Sequence, residues 1–227
     1  GTVSLEGRNA KVFDAMVRDL KANGGACVVI VGEGQPPAVH AMAAAINAAL
    51  GNVGKTVQYT EDPHPSRMAS ISTLVKSLNA GAVETLVLIG GNPVYDAPVD
   101  LDFATAMGKA KERVHLSLYA NATSKASVWH LPRAHWIESW GDVRAYDGTI
   151  SVVQPLIQPM MPLEQQGWSS IELLATLAGT EPKEGYSIVR ATEASRSGTT
   201  GTTFEAHWRT VLDTGLIEGT ATPVSST

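Results

Sequence analysis

The sequence predicts a layered α/β protein built on a doubly wound, mostly parallel sheet. Three observations point there. Short uncharged runs of Val, Ile and Leu recur through the first 120 residues, segments with helical apolar spacing separate them, and Gly or Pro stands at most junctions.

The first segment, AKVFDAMVRDLKANGG, carries Val12, Met16, Val17 and Leu20 on one helical face and stops at a Gly pair. The run ACVVIVG then reads as a buried strand over residues 26 to 31. A helix from Pro37 to Leu50 follows, opened by Pro36-Pro37. A short strand at 55 to 59, a helix from Met68 to Asn79, a strand at 85 to 90, a helix from Leu101 to Ala110 and a strand at 113 to 118 complete the series. This alternation predicts a Rossmann-like core over residues 1–120, with helices on both faces of the sheet.

Residues 121–227 read as the remainder of the same domain. TSKASVWHLPRAHWIESWGDVRAYDGTISVVQPLIQP, with prolines at 132, 155 and 159 and another at 162, predicts one short strand and then an irregular Pro/Trp-rich arm. Helices are expected over Ser169 to Leu177 and over FEAHWRTVLDTG. SRSGTTGTT between them reads as a mobile low-complexity loop.

Composition narrows function. The chain has 227 residues, 44% hydrophobic and 17% charged, and a net charge of −5 with Lys and Arg scattered along it. That excludes the electrostatic footprint of a nucleic-acid binder, and no run approaches a membrane span. The only cysteine, Cys27, lies in an apolar run and reads as a small buried hydrophobe, so disulfides and a self-contained iron–sulfur cluster are excluded. With Gly1 first and no signal-peptide pattern, the chain reads as a piece of something longer.

In doubly wound sheets ligands settle beyond the carboxyl ends of the strands. The loops expected there are Gly32-Glu33-Gly34-Gln35 and Gly90-Gly91-Asn92-Pro93, whose bare backbone lets amides approach a phosphate, or else simply turns the chain. Neither loop matches GxGxxG or a P-loop. His130, His135 and Glu138 lack the spacing of a reliable metal site, no GxSxG occurs, and Trp129, Trp136 and Trp140 read as packing or interface residues. Glu61-Asp62 and Asp100 with Asp102 read as solvated helix flanks.

The strand with GGNP, followed by TSKASVWHLPRAHWIESWGD and YDG, resembles the molybdopterin oxidoreductase superfamily. More closely, GEGQPPAVHAMAAAINAALGNVGKTVQYTE, LIGGNPVYDAP, ESWGDVRAYDGTISVVQPLIQP, GYSIVR and FEAHWRTVLDTGLIEGTA are similar to the large iron–sulfur subunit of alternative complex III, a quinol:electron-acceptor oxidoreductase. The resemblance implies that Gly90, Gly91, Asn92 and Pro93, with Glu138 and Gly141, descend from a site for a molybdopterin guanine dinucleotide. Gly32 and Glu33 are expected on its other side.

Several positions depart from the superfamily pattern. Val128 replaces an acid and Asp142 a Thr, while Ala145, Asp147, Gly148 and Thr149 replace an Asn-x-Glu-Gly-Arg run. Losing an amide, a hydroxyl and a cation removes partners for a polyanionic nucleotide. The resemblance therefore implies a vestigial site with no cofactor in this chain, and iron–sulfur clusters only in a downstream ferredoxin-like domain.

The function expected from it is a non-catalytic scaffold in a membrane-associated respiratory complex. Its partners would be that ferredoxin-like domain and neighbouring subunits, with no nucleic acid and no direct membrane insertion, on the exported, periplasmic side. Two alternatives stay open: the nucleotide-binding segment of a working molybdopterin guanine dinucleotide oxidoreductase, and a free-standing nucleotide-binding module. In the scaffold reading, residues 128 to 162 are expected to form a docking surface.

Overall fold

The computed structural model describes residues 6–61, 70–161 and 167–225. The chain divides into two compact units, residues 1–63 with 222–227, and residues 64–221. Among the described residues no helix is long and apolar enough to cross a membrane.

The first unit holds helices α1 (Gly7–Ala22) and α2 (Pro37–Ala49). Proline at the start of α2 suits a first turn whose N–H groups have no helical partner. The predicted strands at 26 to 31 and 55 to 59 form no ladder: residues 27 to 31 run without regular structure, and the second stretch takes part only in the isolated bridge Val53–Val57, with another, Thr60–Val224, just beyond it.

Side chains take the place of a neighbouring strand along 26 to 31. Asn47 on α2 accepts from the Val29 N–H (2.9 Å) and donates to the Val29 carbonyl (2.8 Å). Asn52 accepts from the Gly25 N–H, and the Thr56 hydroxyl donates to the Cys27 carbonyl. Cys27 is half-buried rather than core.

The second unit contains the parallel sheet. Helix α3 (Ile71–Asn79) begins at Ser70, whose hydroxyl accepts from the Thr73 N–H; residues 68 and 69 of the predicted helix lie outside the described residues. Strand β1 (Thr85–Ile89) follows, then the single turn α4 (Pro93–Asp96), a 3-10 turn (Val99–Leu101), α5 (Phe103–Met107), β2 (Glu112–Ser117), α6 (Ala122–Ala126) and β3 (Trp129–Pro132).

The order is β1-β2-β3, all parallel, with Val87 opposite Val114 and Leu116 opposite Leu131. Leu86 and Leu88 pack with Val75 and Leu78 of α3 and with Phe103, Ala106 and Met107 of α5. The helix expected over 101 to 110 is broken because Asp102 takes a left-handed backbone, φ 43°.

Beyond residue 132 the structure corrects the irregular arm. Strands β4 (Gly141–Arg144), β5 (Ile150–Val153) and β6 (Leu216–Ile217) form an antiparallel sheet, while residues 154–161 have no helix or strand. Ile150, Val152 and Ile217 pack with Val189, Phe204, Trp208 and Val211 from α8 (Gly185–Ser197) and α9 (Gly201–Thr214). Helix α7 (Ser170–Ala178) starts with a reciprocal capping box between Ser169 and Glu172.

The predicted Ser/Thr/Gly loop is largely helical, with only residues 198–200 linking α8 to α9. Burial of Phe204 and Trp208 outweighs the weak helix propensity of those residues. Gly167 marks the closest backbone approach: a Cβ there would lie 2.4 Å from the Ala134 N and 2.6 Å from the Arg133 carbonyl carbon.

Candidate functional site at the carboxyl end of the parallel sheet

The Gly90-Gly91-Asn92 loop leaves β1 at its carboxyl end. Both glycines hold a left-handed backbone, φ 70° and 69°, which an L side chain adopts at a cost of about 1–2 kcal/mol. The loop is clamped from within. The Gly90 N–H continues the ladder to the Leu116 carbonyl (2.7 Å), and its carbonyl lies 3.2 Å from Nε2 of the fully buried His115. A carbonyl can only accept, so Nε2 carries the proton. Nδ1 of the same ring meets the Ser124 hydroxyl at 2.9 Å.

The Gly91 carbonyl accepts from the Asn121 amide at 3.2 Å, and the other end of that side chain caps α6 by accepting from the Ser124 N–H. Asn92 is committed as well. Its Oδ1 accepts from both the N–H and the hydroxyl of buried Thr123, at 3.1 and 2.9 Å, and that hydroxyl accepts from the Val94 N–H.

Because N–H and C=O point opposite ways in a trans peptide, carbonyls drawn inward by His115 and Asn121 turn the Gly91 and Asn92 N–H groups away from those partners. Neither N–H has a protein partner among the described residues. Arg133, directly after β3, brings Nη1 to 3.1 Å from where a Gly90 Cβ would stand. It has no ion-pair partner among the described residues.

Two cavities open beside Arg133. One, of about 590 Å³, is lined by Leu118, Tyr119, Arg133, His135, Glu138 and Met160 among others. The other, of about 280 Å³, reaches Trp136, Trp140, Gly141, Asp142 and Ser170. Glu138 accepts from the Met160 N–H, and Asp142 pairs with Arg196 at 3.3 Å. Among the described residues no three His, Cys, Asp or Glu side chains gather as a metal site. The three tryptophans differ in setting: Trp140 meets Tyr186 edge to face at 4.9 Å, whereas Trp129 and Trp136 are largely exposed.

The structure brings Gly90 close to Arg133, and places Glu138 on one and Gly141 on the other of the two cavities that Arg133 lines. Gly32 and Glu33 belong to the other unit, in a loop closed by the Gln35 N–H donating to the Gly32 carbonyl. His115, Asn121, Thr123, Ser124 and Arg133 escaped the sequence reading. Two of them left a signal: a polar His inside the apolar run VHLSL, and an Asn immediately before a short helix.

Of the positions at which the sequence departs from the motif it resembles, Ala145, Asp147 and Thr149 lie in the β4–β5 turn, whereas Val128 precedes β3 and Asp142 lies in β4. Ala145 donates to the Thr149 carbonyl, Gly148 to the Ala145 carbonyl, and the Arg144 guanidinium to the Gly148 carbonyl. Asp147 accepts from the Thr149 N–H at 2.9 Å. That backbone bond, followed by one from the Thr149 hydroxyl, holds the exposed carboxyl below its usual range.

Compared with models of known protein families the chain matches none, and a comparison with curated proteins gives no match.

Proposed function

We propose that the chain is a molybdopterin-oxidoreductase-like domain of a respiratory quinol-oxidising electron-transfer complex, similar to the large iron–sulfur subunit of alternative complex III, and that it works as a non-catalytic scaffold without a pterin cofactor. One observation carries this reading: the side-chain and carbonyl groups at the motif positions are engaged by the protein itself. Asn92 braces Thr123, the two glycine carbonyls hold His115 and Asn121, and Asp147 and Thr149 close their own turn.

In this reading the three-stranded parallel sheet β1-β2-β3 is the core of a Rossmann-like, doubly wound fold. The domain positions a downstream ferredoxin-like domain and other subunits on the exported face of a membrane. Exposed Trp136, Leu156, Ile157, Met160 and Met161 support a docking role for the segment that follows β3.

A second reading, a nucleotide-binding segment of a working molybdenum enzyme, draws on the Gly91 and Asn92 N–H groups, unpartnered among the described residues, and on Arg133 close to Gly90. The two readings separate on the purified chain. Elemental analysis, the fluorescence of an oxidised extract and titration with GDP by calorimetry are expected to give neither molybdenum, iron nor pterin, and no saturable heat. Stoichiometric pterin or metal overturns the scaffold, and saturable GDP binding favours the second reading.

A further inference from the structure

We draw no further inference here: the strongest candidate, the cavity of about 280 Å³ where Trp136, Trp140 and the buried, unpartnered Ser170 hydroxyl meet near the start of α7, shares Arg133, Gly141 and Asp142 with the site already described and belongs to it.

Discussion

At the scale of single residues, Asn92 shows how a loop that reads as a ligand site becomes a structural brace. Its carboxamide oxygen takes two donors from a residue with no access to water, so nothing else can satisfy them if it is removed. Asn92→Ala is expected to lower the unfolding free energy by about 2 kcal/mol, the cost of stranding buried donors. Asn92→Asp, which keeps the acceptor, should retain most of that stability. Urea unfolding of both variants checks this, and equal losses would show that the oxygen is not the reason. Asp147 gives the corresponding prediction for pH. Its folded pKa lies below the usual 3.8, so its contribution is complete above the unfolded value and is lost as pH falls through the lower, folded one. Below pH 3.8 the Thr149 amide shift should therefore titrate with the carboxylate, and Asp147→Asn should abolish that titration.

Elements cohere here through groups that no local pattern announces. Glu193 on α8 is 2% exposed, and its two oxygens accept from Arg196 and from His207 of α9, both at 2.7 Å; Arg196 also reaches Asp142 on β4. Arg196 and His207 are about a third exposed and the carboxylate is buried, so the two sides differ in what their loss leaves behind. Arg196→Ala strands a buried charge and is expected to cost about 3 kcal/mol. Glu193→Gln leaves side chains, Arg196 and His207, that can reach water, and should cost less. Combining the two should recover part of the loss, since no buried carboxylate then remains to be compensated. Denaturant midpoints of the three variants decide it, and a double variant equal to the sum of the singles would dismiss the coupling. The same elements explain why the chain after residue 132 reads as an arm in sequence and folds otherwise. Closely spaced prolines suggest irregular backbone, yet they flank a hairpin whose strands are fixed by contacts with α8 and α9, distant in sequence.

For the whole molecule, apolar burial is unevenly distributed. In the first unit Ala43 is the only buried hydrophobic residue among those described, and Val12, Phe13, Met16, Met42 and Ile30 are exposed, Ile30 by 82%. The second unit contains two clusters of buried apolar side chains. Local opening costs little where few apolar contacts break. Amides of α1 and α2 are therefore expected to exchange with deuterium well before those of β1, β2 and α9, as mass spectrometry can measure; uniform protection would contradict it. The sequence by itself determined β1, β2 and most of α3, because short apolar runs and 3.6-residue spacing are local properties. It also marked Gly90 to Pro93 as a special turn, because two adjacent glycines at a strand end are visible in one dimension. Tertiary structure decided which polar groups clamp that turn, how the β4–β5 hairpin is backed by α8 and α9, and that CVVIVG is held by the Asn47 side chain where a neighbouring strand was expected. The physical reason is common to all three: a hydrogen bond, a ladder or a buried apolar contact needs a partner brought from elsewhere in the chain, and a residue's own neighbours in sequence do not name it.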